Sequence, residues 1–90
     1  MANHHIQITY CVPGDYSSRA VGAAEDLLAN YQHVIEDLRL VTGENGVFDV
    51  TVDDTALYSK DETGRHAESG EVLALFTALV GPDVLRYGEE

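Results

Sequence analysis

The 90-residue chain has one cysteine, no tryptophan, two prolines and one lysine. A lone cysteine closes no internal disulfide, whereas small secreted domains usually depend on several, so a cytoplasmic setting is expected. No stretch approaches the roughly 18 consecutive apolar residues that a membrane-spanning helix requires. The segment Met1 to His5 has neither a basic region nor an apolar core, so it does not read as a signal peptide. Basic residues are scarce as well: five Lys and Arg stand against sixteen Asp and Glu, a net charge of −11. Such a surface repels phosphates, which excludes nucleic acid and anionic membranes as natural partners. The acids are scattered rather than gathered into a terminal tail. Two readings of them stand open. One is adaptation to high salt, where self-repulsion is screened within about 3 Å at 1 M; the other is an ordinary acidic domain. With one cysteine and four scattered histidines no zinc spacing arises. His4 and His5, being neighbours on a strand, should point to opposite faces. No metal or other cofactor is expected.

What is present is a well-patterned core. The apolar fraction of 44% suits a globular chain, and the length suits one domain with one modest core. Ile6, Ile8 and Tyr10 alternate with Gln7 and Thr9, predicting a strand with one buried face. From Ser17 the period lengthens, and Ala20, Ala24, Leu27, Leu28 and Tyr31 share one face of a helix over about residues 17–32. Ser17 or Ser18 is the expected N-cap. Alternation returns over Val34 to Thr42, with Leu38 and Leu40 facing one way. Gly43 to Gly46 then makes a turn, and Val47 to Val52 a third strand with Phe48, Val50 and Val52 inward. Asp53-Asp54 makes a tight connection to a fourth strand over Thr55 to Ser59. Lys60 to Ser69 has no period and reads as a loop. A second helix opens at Ser69 or Gly70, buries Val72, Leu73, Phe76, Leu79 and Val80, and stops at Gly81-Pro82. Residues 1–81 form the expected domain, and 82–90 have too few apolar side chains to dock firmly.

The resulting order, β-α-β-β-β-α, predicts a two-layer α/β sandwich. A right-handed crossover makes the first two strands parallel, a hairpin adds two antiparallel partners, and both helices cover one face of a four-stranded mixed sheet. Cys11 lies just past the first strand, ahead of a helix start, where open α/β sheets place their sites. The helix N-terminus favours thiolate, the nucleophilic form. Pro13 fixes the turn, while the Asp15 carboxylate opposes the thiolate and Arg19, about one turn into the helix, opposes Asp15; the signs conflict, and the residues alone do not rank them. The same position also suits a small buried hydrophobe without reactivity.

The segments Ile8-Thr9-Tyr10-Cys11-Val12-Pro13, Arg19-Ala20, Leu40-Val41, Gly46-Val47-Phe48-Asp49-Val50 and Ser59-Lys60-Asp61-Glu62-Thr63-Gly64-Arg65 together resemble the selenoprotein W-like, or Rdx, family. The resemblance runs from about Ile6 to Val80. It implies a thioredoxin-like fold and a thiol-redox role, with a small thiol or a protein thiol as partner. It also implies a Cys-x-x-Cys or Cys-x-x-selenocysteine motif, from which this chain departs. Cys11 fills the first position, but Gly14 stands where the second thiol or selenol belongs. Without that group a mixed disulfide on Cys11 is resolved only by an outside thiol. The expected assignment is Cys11 as single thiol, with Val12, Pro13 and Gly14 shaping the loop and Ser17 behind it. The alternative is a redox-inactive member that has become a protein-binding module.

Lys60 and Arg65 bracket the other segment of note, in a chain poor in cations. Either Arg65 engages a partner's carboxylate, or both residues pair with nearby acids of their own loop.

Overall fold

The computed structural model describes residues 3–14 and 16–90. Strand β1 (His4–Cys11) leads through helix α1 (Ser17–Tyr31) and a single 3-10 turn (Gln32–Val34) to β2 (Ile35–Gly43). Strands β3 (Phe48–Val52) and β4 (Thr55–Ser59) form the hairpin, followed by a one-turn helix α2 (Lys60–Thr63) and helix α3 (Glu71–Val80). The sheet order is β2-β1-β3-β4, with β1 parallel to β2 and antiparallel to β3, and β4 antiparallel to β3. The architecture is a thioredoxin-like α/β sandwich built on a four-stranded mixed sheet.

Period decides which side chains enter the core. Ile6 and Ile8 of β1, and Phe48, Val50 and Val52 of β3, are buried under the helices. They meet Ala20, Ala24, Leu27 and Tyr31 from α1 and Val72 and Phe76 from α3. Full burial of a large apolar side chain contributes about 1.5–3 kcal/mol, so this set carries most of the stabilisation. Leu28 and Leu79, placed on the apolar helix faces by period, are 40% and 51% exposed, and Leu40 is 43% exposed. Leu40 stands on the edge strand, with a strand partner, Ile8 of β1, on one side only among the described residues.

The β3–β4 connection is made by Asp53 and Asp54, both with left-handed backbone (φ 52° and 70°), as a two-residue hairpin turn of the primed type requires. The Asp53 carboxylate then ties this turn to β1. It accepts the His5 N–H at 2.9 Å and lies 2.7 Å from His4 Nδ1. These contacts, the His5 N–H first, hold Asp53 below the usual carboxylate range. His5 points the other way, to Asp37 at 3.1 Å, which raises the imidazole above its ordinary value.

Two local expectations are corrected. Residue Ser17 is already inside α1; Tyr16 occupies the cap position, where its carbonyl accepts the Arg19 and Ala20 N–H groups and no side chain caps. Residues 60–63 form a helical turn rather than open loop. The Ser59 hydroxyl accepts the Glu62 N–H at 3.4 Å, and Gly64 ends the turn with φ 75°. Ser59-Lys60-Asp61-Glu62 has the S-x-x-E spacing of a capping box, which is the signal that foretells it. The C-terminal segment makes polar contacts that an apolar count does not foresee. The Tyr87 N–H donates to the Asn30 carbonyl at 2.7 Å, Arg86 donates to the Asn30 side chain at 2.9 Å, and the Leu85 carbonyl lies 2.8 Å from His33 Nε2.

Candidate functional site

The parallel ladder between β1 and β2 continues to its last pair, Cys11 beside Gly43. The cysteine therefore ends a strand rather than opening a loop. Its N–H donates to the Val47 carbonyl at 2.9 Å, and the Val12 N–H donates to the Gly43 carbonyl at 3.2 Å. The β2–β3 turn is thus stitched to the chain on both sides of the thiol-bearing residue. Cys11 is 4% exposed, which corrects the expectation of an open loop position. Strand pairing persists one residue further than the alternating pattern, and the turn after β2 is hydrogen-bonded back against it.

Alternation in β1 gives Ile6 and Ile8 to the helix side, so Cys11 shares the opposite face with Gln7 and Thr9. Although buried, it stands apart from the contiguous apolar core. Asp15, expected to oppose the thiolate, lies outside the described residues. Val12, Pro13 and Gly14 are exposed, and Val12 and Pro13 form one wall of an open hollow whose other wall is Thr42 to Asn45.

The organising side chain of this end of the molecule is Tyr16, which the sequence reading passed over. A Cβ added at Gly14 would come within 2.5 Å of Tyr16 Cε1. The Tyr16 ring meets His66 edge-on at 4.1 Å between centroids, and Lys60 Nζ lies 5.8 Å from its centre. Beyond it, a Cβ placed on Gly46 would lie 3.8 Å from the Tyr16 hydroxyl and 3.7 Å from Lys60 Nζ. Tyr16 therefore links the loop after β1, the turn after β2, helix α2 and the segment before α3. Burial, and then the charges of Arg19 and Lys60, push His66 below its ordinary value. No local signal in the sequence marks this cluster, because its residues come from segments far apart in the chain.

The remaining candidates separate from this group. Arg65 forms a two-pronged ion pair with Glu71, at 2.7 and 2.8 Å, and also donates to the His66 carbonyl at 3.0 Å. The Arg65 guanidinium holds the Glu71 carboxyl at about 2, well below its ordinary 4.5, and is itself raised in turn. Arg65 thus pairs with a local acid in the first turn of α3. Lys60 takes the other course and covers an aromatic ring. Arg19 is exposed on α1 and lines a cleft of about 360 Å³ between α1 and the segment before α3. Among the described residues no group of three or more His, Cys, Asp or Glu side chains gathers at one place, and no helix is long and apolar enough to cross a membrane.

The fold has solved counterparts. A selenoprotein W-related protein from Vibrio cholerae superposes with a TM-score of 0.80 at 19% identity, covering 88% of this chain and 99% of that one. A protein from Bordetella parapertussis gives a TM-score of 0.77 at 24% identity, covering 82% of this chain and 94% of its own. At these identities the likeness speaks for the fold alone. No curated protein matches the chain. Comparison with protein families matches residues 5–78, from the first residues of β1 almost to the end of α3, to the Rdx family. That span takes in every strand and the strand-end cysteine, and the protein belongs to the Rdx family as a single-cysteine member.

Proposed function

We propose that this Rdx protein acts as a single-thiol redox protein, forming mixed disulfides through Cys11 with a small thiol or a protein thiol. The observation that carries the reading is the place of Cys11. It ends β1 at the carboxyl edge of the sheet, between two loops and outside the helix-packed core. Displacing the Val12–Gly14 loop or the turn after β2 uncovers it without unpacking the domain. The exposed Cys11 thiol loses its proton to solvent, and its thiolate attacks one sulfur of a disulfide. The S–S bond of that disulfide breaks, a new S–S bond to Cys11 forms, and the departing thiolate takes up a proton. Gly14 stands in the position where the family motif carries its second thiol, so a second outside thiol completes the exchange and restores Cys11.

A second reading is favoured by the 4% exposure of Cys11: a member that keeps the fold for protein binding and uses no thiol chemistry. One experiment separates the two. Folded wild type and Cys11→Ser are incubated with oxidised glutathione and followed by intact mass. Thiol exchange gives one glutathione adduct on folded wild type and none on the serine variant. An adduct that forms only in denaturant leaves the binding module as the better description.

A further inference from the structure

The two edges of the sheet are guarded unequally. Strand β4 has five residues, carries a register shift where it meets β3, and runs straight into α2. Strand β2 has nine residues and pairs only with β1 among the described residues, leaving its outer row of N–H and C=O groups without a strand partner. Natural edges are usually blunted by lysine, proline, shortness or bulges. Strand β2 contains no lysine and no proline; it carries Glu36, Asp37 and Arg39, and its one bulge lies at its first residues. Beside it the surface is apolar: Leu40 on the strand is 43% exposed, and Val21 and Leu28, two turns apart on α1, are 55% and 40% exposed. A backbone template flanked by uncovered aliphatic side chains is the makeup of a strand-addition interface.

We propose that this edge pairs with a second copy of the chain, β2 antiparallel to β2 about a two-fold axis at Leu38. Charge complementarity selects both the occupant and the register. With Leu38 opposite its own copy, Asp37 of each chain stands directly across from Arg39 of the other. Asp37 and Arg39 lie on the same face of the sheet, beside His5 and Gln7 in the β1 register. Moving the axis to residue 37 or 39 would instead set Asp37 against Asp37 or Arg39 against Arg39, the like-charge arrangement that destabilises cross-strand pairs. On the helix side the same register sets Leu38 against its own copy and Leu40 across from Glu36 of the other chain. It also keeps both α1 helices on one side of a continuous eight-stranded sheet, so that their Val21 and Leu28 stripes face each other. Because the strands run antiparallel, the two Cys11 residues lie toward opposite ends of the assembly, and the interface is independent of thiol chemistry.

The net charge of −11 on each copy opposes association, and its range contracts from about 10 Å at 0.1 M salt to about 3 Å at 1 M. The dimer therefore tightens as salt is added. Sedimentation equilibrium of the full chain at these two salt concentrations tests the proposal, with Arg39→Asp, Leu40→Asp and the exchange Asp37→Arg/Arg39→Asp as variants. Far-ultraviolet circular dichroism confirms that each is folded. Wild type dimerises more tightly in high salt, and each single variant weakens the dimer about tenfold or more, since Arg39→Asp opposes Asp37 and Leu40→Asp opposes Glu36 across the seam. The double exchange recovers the dimer because both cross-strand pairs are rebuilt with reversed sign. A wild-type monomer at both salts, a dimer indifferent to Arg39→Asp, or a double exchange no better than Arg39→Asp overturns it.

Discussion

The ring of Tyr16 fills the space that a side chain at residue 14 would need, with an added Cβ falling 2.5 Å from Cε1. The ring is not free to swing aside, because His66 packs edge-on against it and Lys60 covers it. Placing a cysteine at residue 14 is therefore overpacking, at a cost of about 1–3 kcal/mol. Gly14→Cys is expected to lower the thermal midpoint and to form an internal disulfide with Cys11 only slowly under a mild oxidant. Gly14→Cys/Tyr16→Ala relieves the clash and is expected to oxidise faster. Free-thiol counting over time checks both, and equal rates would show that Tyr16 does not govern the position.

Gly22 poses the opposite case. It lies in the middle of α1, and a Cβ built there meets nothing within 4 Å. Close packing does not require the glycine, so its cost to the helix is unrelieved. Gly22→Ala is expected to stabilise the protein by about 1 kcal/mol, the difference in helix propensity. A urea titration with an unchanged slope would report it.

The Arg65–Glu71 pair predicts a sign for acid sensitivity. Glu71 titrates at about 2 in the folded chain against an ordinary 4.5, so the folded state prefers the carboxylate. Its stabilisation is complete above the unfolded value and fades as pH falls toward the folded one. Wild type and Glu71→Gln should therefore differ in urea midpoint at pH 7, and the difference should shrink between about pH 4.5 and 2. The pair is on the surface, so added salt should reduce the effect. A gap that stays constant through this range would sink the assignment.

These cases show what was legible in the sequence. Ile6 and Ile8, Phe48 to Val52, and the spacing of Ala20, Ala24, Leu27 and Tyr31 announced the layers, because period alone decides which side of a strand or helix meets the core. The same rule put Leu40 on one face with Leu38, beside the buried Ile6 and Ile8, but period does not say how far an edge strand is covered. Ser17 failed as a cap because a serine near a helix start has a competitor in each adjoining residue, and here Tyr16 takes the place. The Tyr16 cluster depends on four segments far apart in sequence, and no local pattern encodes their meeting. Cys11 lies at the strand end that the alternation indicated, yet neither its burial nor its backbone pairing to Val47 is encoded locally.

That pairing turns access to sulfur into a question of amide protection. The Cys11 and Val12 N–H groups are both held by carbonyls bracketing the turn after β2, so the fluctuation that bares the thiol should also bare these two amides to deuterium. If opening is fast and rare, the exchange rate of those amides and the labelling rate of Cys11 by a small thiol reagent should report the same opening free energy. Replacing Tyr16 by alanine should then move both rates upward together. The turn would act as a shutter whose equilibrium is read independently at nitrogen and at sulfur.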